Sequence, residues 1–308
     1  MSNNTFLENT IISLTSFPAR INTIHICIKS LLNQTAKAEK IVLWLTEEEF
    51  PNKEKDLPRK LLSLTNHGLT IEWCHNLRSY NKLIPSLKKY PNKIIITFDD
   101  DTIYNKKAVE LLFNCHRMHP NDIISHRVYS KYFDDNDELI NYPGQLYYDT
   151  QYKRNMTLPM LREASFFNRL MGVGGVLYPP GCLHGEVLNE ENLLGLAPTQ
   201  DDIWFWLQAV HNNTKILVPD IHFHNQKSIP TTQNTGLTLI NESDTVQITN
   251  ILNAYPAIRA ILKTENAQNI AKINAIIQEN CYPVMNSKPQ LFNLILNKIK
   301  DKLIILLN

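Results

Sequence analysis

Apolar and polar positions alternate between two periods over the first hundred residues. Thr10 to Thr15 is a short β-branched run closed by Ser16 and Pro18, which predicts a strand. Ile24, Cys27, Ile28 and Leu31 then recur at helical spacing, and Lys40 to Leu45 reads as a second strand, completing a βαβ unit. The same alternation predicts a short helix over Pro58 to Leu64, a strand over Leu69 to Cys74, a helix over Lys82 to Lys89 and a strand over Ile94 to Phe98. That last strand runs into Asp99-Asp100-Asp101. Strands alternating with helices predict an α/β, Rossmann-like, mostly parallel sheet covered on both faces, whose ligands sit beyond the carboxyl ends of the strands. The acidic triplet falls at such an end.

A helix over Ala108 to Met118 and a strand over Ile123 to Ser125 follow, and Tyr129 to Arg169 then loses clear period, as loops and edge elements over a site do. Gly172-Val-Gly174-Gly175 is a glycine-rich turn into a strand, where small residues permit close backbone approach to a ligand or simply make a tight turn. Asp201-Asp202 opens a helix, Lys215 to Val218 is a strand, and His222 and His224 come after it. Segments beyond Asn241 read as helical, with Ile270, Ile273 and Ile277 on one face.

Composition narrows the class. Of 308 residues, 43% are hydrophobic and 20% charged, enough apolar material for a large core and too little charge for a disordered chain. The formal charge of +1 gives no global field for nucleic acid, so no nucleic-acid partner is expected. Five scattered cysteines without a C-x-x-C pair suggest neither a disulfide framework nor a thiolate zinc site and fit a reducing compartment. The amino terminus lacks a secretory pattern, which makes a cytoplasmic location the expectation.

In extended chain Asp99 and Asp101 share a face, a hard oxygen site suited to Mg²⁺ or Mn²⁺ with diphosphate oxygens; the competing reading is a helix cap near Asn105. Asp202 can act as a general base, or serve a capping box with Thr199. His222 and His224 share parity and can ligate a metal, although a surface or core role is commoner for either. Lys82 and Arg20 can each meet phosphate or lie on a solvated face. Phosphate-binding loop, zinc-protease and nucleophile-elbow motifs are absent, and Gly172-x-Gly174 lacks the third glycine of a dinucleotide fingerprint.

The order of these motifs, with the runs SLTSFPARI, FDDD, GVGGVLYPP and DDIW, resembles the GT-A glycosyltransferases, nearest to bacterial family-2-like enzymes of surface polysaccharide assembly. The resemblance spans roughly Ile11 to Leu239. It implies a catalytic domain over 1–240, with a nucleotide-sugar half over about 10–101 and an acceptor half over about 102–240, and a helical extension over 241–308. It implies that Asp99-x-Asp101 is the DXD motif, with Asp101 and Asp99 on the metal and His224 or His222 as a late ligand. Asp202, with Asp201 beside it, would be the catalytic base; Thr15, Arg20, Lys82, Asp99, Asp100, Gly174 and Gly175 would line the donor, and Gly172 to Gly175 would form a floor under donor or acceptor. The implied partners are a nucleotide sugar, a UDP-sugar first, and a glycan or lipid-linked glycan acceptor. Asp201 replaces the family's usual Glu, and no basic residue stands four or five places after Asp202. A nucleotidyltransferase and a non-catalytic sugar-binding module are the rival classes. The segment 288–308, apolar along one arc and flanked by Lys298 and Lys302, is read as an interfacial helix touching membrane, or one packing on protein in a homo-oligomer.

Overall fold

The structure, a computed structural model, describes residues 5–134, 137–141, 146–149, 154–157, 163–219, 227–230, 232, 244–269 and 272. His222, His224 and the segment 288–308 lie outside the described residues.

The strands are β1 (Thr5–Thr15), β2 (Ala36–Thr46), β3 (Leu69–Cys74), β4 (Ile94–Thr97), β5 (Thr102–Ile103), β6 (Ile123–Ser125) and β7 (Val128–Phe133). They continue with β8 (Leu139–Asn141), β9 (Leu146–Asp149), β10 (Arg154–Thr157), β11 (Asn168–Leu170), β12 (Val176–Tyr178), β13 (Ile216–Leu217) and β14 (Lys227–Ser228). Seven of them form one sheet in the order β13-β6-β12-β4-β1-β2-β3. The pairs β1/β2, β1/β4, β2/β3 and β13/β6 are parallel, whereas β12 runs antiparallel to both β4 and β6. A mostly parallel sheet with one reversed strand near its centre follows, and a smaller sheet β11-β7-β8 stands beside it.

Side-chain alternation divides the core between the two faces of the sheet. Ile11, Val42, Ile95 and Tyr178 pack on one side with Trp204 and Trp206; Ile12, Leu43, Ile96 and Leu177 pack on the other with Ile24, Ile28 and Leu112. The covering helices are α1 (Ile24–Leu32), α2 (Arg59–Leu62), α3 (Ile84–Lys89), α4 (Ala108–Met118), α5 (Glu190–Leu196), α6 (Asp201–His211) and α7 (Asp244–Ala254). Helix α6 is buried almost all round, consistent with its run of Ile203, Trp204, Phe205, Trp206 and Leu207. Ile248, Ile251 and Leu252 of α7, and Ile258 and Leu262 of a helix over 256–269, belong to the same apolar cluster as Trp204. Glu265, buried, accepts from Ser165 Oγ at 2.7 Å and from the Phe166 N–H at 3.0 Å, so this segment is tied to the sheet by polar as well as apolar contacts.

Two expected elements differ. Lys82 does not open a helix: Arg78–Lys82 is a 3-10 turn and α3 begins at Ile84, with Pro85 in its first turn. Strand β4 stops at Thr97, so the side-chain alternation assumed for the acidic triplet does not extend through it.

Candidate active site

The carboxyl ends of β1 and β4, the glycine turn before β12 and the amino terminus of α6 meet at one edge of the sheet. Lys82 stands at the centre. Its Nζ lies 2.9 Å from Asp99 Oδ1, 2.8 Å from Asp201 Oδ2 and 3.6 Å from Asp202 Oδ1. The side chains of Lys82, Asp201, Asp202 and Asp99 are 7%, 9%, 18% and 29% exposed, so the cluster is sheltered but open on the Asp99 side. The turn that delivers Lys82 is fixed from below: Ser13 Oγ of β1 donates to the Lys82 carbonyl at 2.6 Å, and the buried Tyr80 hydroxyl donates to the Ala197 carbonyl at 2.6 Å.

Asp202 does not enter the capping box that the sequence offered. Its Oδ2 accepts the Gly172 N–H at 3.0 Å while Oδ1 faces Lys82, and Gln200, the residue before α6, provides no side-chain cap. The capping box with Thr199 does not form. Nor does any member of the acidic triplet cap α4, which begins at Ala108 without a side-chain cap. Burial pushes the Asp202 carboxyl up to about 6; the neighbouring Asp201 and Asp99 charges add to this, and Lys82 and the Gly172 N–H oppose it. Lys82 loses by burial but gains more from its three carboxylates, so its ammonium is held charged well above the usual lysine range.

A second ion group adjoins the first. Asp100 is buried, accepting from Arg20 Nη1 at 2.6 Å and from Ser16 Oγ at 2.6 Å. Burial raises its carboxyl, with Arg20 and Ser16 opposing. Arg20 also lies 3.2 Å from Asp101 Oδ2. Asp99 therefore sides with Lys82 and Asp101 with Arg20. Ser16 was not singled out in the sequence, where only its place directly after β1 could have pointed to it. Thr15 donates its hydroxyl to the Trp44 carbonyl at 2.9 Å.

The glycines divide by function. A Cβ on Gly172 would stand 2.5 Å from Lys82 Nζ, 3.0 Å from Asp202 Oδ1 and 3.1 Å from Asp99 Oδ1, so this residue closes over the ion cluster. Gly174 packs on His126 and Arg127, and Gly175, at φ +94°, presses on the Phe98 ring. Gly172 is thus the glycine at the cluster, and Gly174 and Gly175 shape the turn that brings it there.

The donor set suits a hard divalent cation. Five carboxylates against Lys82 and Arg20 leave excess negative charge. Among the described residues no three His, Cys, Asp or Glu side chains converge as a ready cage. Mg²⁺ is commonly held by one or two carboxylates together with substrate phosphates, and Asp101 and Asp99 can provide those two.

No family model and no curated protein matches the sequence. Among solved structures, the chain is similar to TarS residues 1–349 of S. aureus, at 15% identity and TM-score 0.46, covering 84% of this chain and 69% of that one. It is similar to CMP:2-keto-3-deoxy-manno-octonic acid synthetase complexed with CTP, at 12% identity and TM-score 0.40, covering 77% and 98%. The 4-diphosphocytidyl-2C-methyl-D-erythritol synthase of Anaerococcus prevotii is similar at 12% identity and TM-score 0.40, covering 78% and 95%. Among the described residues no helix is long and apolar enough to cross a membrane. By its own strand order and connections, the chain has a GT-A-like fold.

Proposed function

We propose that this protein is an inverting glycosyltransferase that moves a sugar from a nucleotide sugar to a hydroxyl of a glycan or lipid-linked glycan. The observation that carries the reading is Asp202: a carboxylate half-buried at a helix start, held by the Gly172 N–H, raised to about 6 and set beside a lysine-bound carboxylate at the strand ends. A base of that strength is mostly ionised near neutrality yet takes a proton more readily than an exposed aspartate. Asp202 would accept the proton of the acceptor hydroxyl as its oxygen bonds to the anomeric carbon. The bond from that carbon to the diphosphate oxygen breaks on the opposite side, and the nucleoside diphosphate leaves with the bonding pair.

Lys82 keeps Asp99, Asp201 and Asp202 together and stops their mutual repulsion from opening the site. Arg20 and Ser16 fix Asp100, which stiffens the turn carrying Asp99 and Asp101. Gly172 lets backbone approach the carboxylates where any side chain would collide. Mg²⁺ or Mn²⁺ held by Asp101 and Asp99 would neutralise charge developing on the leaving diphosphate. Bacterial surface polysaccharide assembly, in the cytoplasm or at the inner face of its membrane, is the setting that the resemblance suggests.

Replacing Asp202 by Asn tests the assignment. Turnover should fall by about 10² or more, the scale of general-base catalysis, while nucleotide affinity stays unchanged. Turnover within a few-fold of wild type would remove Asp202 as the base.

A further inference from the structure

The sheet β11-β7-β8 carries a further charged group, of opposite sign to the acidic cluster around Lys82. Arg169 on β11 and Lys131 on β7 are both buried, and they share one carboxylate, Asp244 of α7. Arg169 Nη1 is hydrogen-bonded to Asp244, Nη2 donates to Gln200 Oε1 at 3.0 Å, and the Arg169 Nε–H, also buried, has no acceptor among the described residues. Lys131 Nζ comes no nearer than 4.0 Å to Asp244. Burial, and then Arg169, lower the Lys131 ammonium to about 8, with Asp244 opposing. Among the described residues these two sheltered cations share one acid, which leaves positive charge in excess, and such charge is costly unless an anion meets it.

Next to these cations is an exposed ring. Tyr129 is 37% exposed, with the Arg127 guanidinium 5.2 Å and the Arg169 guanidinium 6.0 Å from its centroid. Arg127 Nη2 donates to the Tyr129 hydroxyl at 2.7 Å, and no carboxylate among the described residues pairs with Arg127. Register fixes the group, because Tyr129 stands opposite Arg169 in the β7/β11 ladder. The chain also connects it to the base. The Arg127 carbonyl accepts the Met171 N–H at 3.0 Å, Met171 precedes the Gly172 that holds Asp202, and the Gln200 that Arg169 grips precedes Asp201. The site is therefore acidic where a donor's cation would sit and basic beside the proposed base.

We propose that Arg127, Tyr129, Arg169 and Lys131 form an acceptor subsite for a sugar that carries a negative charge, a carboxylate or a phosphate. The Tyr129 ring supports the face of the sugar, and Arg127, backed by the buried cations, takes the anion. Arg169 reaches the acceptor only through these neighbours and Gln200, so it is a positioning residue. The proposal rests on the glycosyltransferase reading, in that the subsite serves the hydroxyl Asp202 deprotonates.

Titrating the full chain with glucuronate, glucose 6-phosphate and glucose, followed by NMR chemical shifts, tests it, with UDP binding and nucleotide-sugar turnover measured in parallel. The charged sugars should bind at least about tenfold more tightly than glucose, the scale of one charge-assisted contact. Whichever of the two is tighter identifies carboxylate or phosphate. Arg127→Met should weaken both charged sugars at least about fivefold and leave glucose unchanged; Tyr129→Ala should weaken all three; Arg117→Met, on the exposed end of α4, should change none. Equal binding of charged and neutral sugars, or unchanged binding in Arg127→Met, overturns the subsite. Those outcomes leave the transferase reading standing, which fails separately if UDP does not bind or no nucleotide sugar turns over.

Discussion

Lys82→Met keeps the length and apolar stem of the side chain and deletes only the ammonium. With Nζ at 2.8, 2.9 and 3.6 Å from three carboxylate oxygens, each attraction is about 5 kcal/mol at an effective dielectric constant of about 20. Most of that is offset, because the variant no longer desolvates an ammonium and its carboxylates can take up protons. Breaking a buried pair by removing one partner costs about 3 to 5 kcal/mol net, and that is the expected loss near neutral pH. For a chain of this size it corresponds to a fall of about 5 to 8 °C in melting temperature. The loss should depend on pH in a definite direction. Without Lys82 the Asp202 carboxyl, already raised by burial, loses the charge that opposes the rise, so the folded state binds more protons and the destabilisation grows as pH rises through that window. Thermal unfolding of both proteins at about pH 5 and about pH 7.5 reads this directly, with the smaller difference at the lower pH. The same drop at both, or a drop under about 2 °C, would show that Lys82 does not hold the cluster together.

The pH profile of wild-type turnover should carry an acidic limb near 6, with activity rising as pH rises because Asp202 must be ionised to accept a proton; the limb should vanish from the residual activity of Asp202→Asn. Gly172→Ala should lower turnover by about tenfold or more with a modest change in melting, since its methyl group meets the flexible end of Lys82; Gly175→Ala should instead cost about 2 kcal/mol or more of stability, because φ is +94° and the Phe98 ring is 2.4 Å from the new Cβ. Gly185→Ala, with nothing within 4 Å of the added carbon, serves as the control for both. Arg20→Met should destabilise by about 3 kcal/mol in urea titration, and adding Asp100→Asn should recover part of that, because the charge left unpaired at 2.6 Å is then gone.

Elements with a clear hydrophobic period were legible in the sequence. Leu69–Cys74, Ala108–Met118 and Ile123–Ser125 occur where the pattern puts them, and Ile94 to Phe98 is one residue too long. The first two strands are longer than their apolar runs suggest, because Thr5 to Leu7 pairs with Ala36 to Ala38 beyond a register shift at the polar Glu8-Asn9. β7 was illegible for a chemical reason: Ser130 and Lys131 are buried there, so its polarity does not report its environment. The site shows the same division. The carboxylates and Lys82 are visible as residue types, but their meeting depends on a 3-10 turn held by Ser13 and on a glycine whose importance comes from three side chains remote in sequence. Arg169, Gln200 and Asp244 gave no signal at all, since nothing local links β11, the start of α6 and α7.

The most direct test of the central reading is to incubate the protein with UDP-, GDP-, ADP- and CMP-linked sugars, Mn²⁺ or Mg²⁺, and glycan acceptors, and to identify every product. The account predicts that one donor releases its nucleotide leaving group, fastest with an acceptor present, that the new linkage has the anomeric configuration opposite to the donor's, and that Asp101→Asn removes the metal-dependent rate. Release of pyrophosphate from a nucleoside triphosphate and a sugar phosphate, or binding of nucleotide sugars without turnover of any, would contradict it.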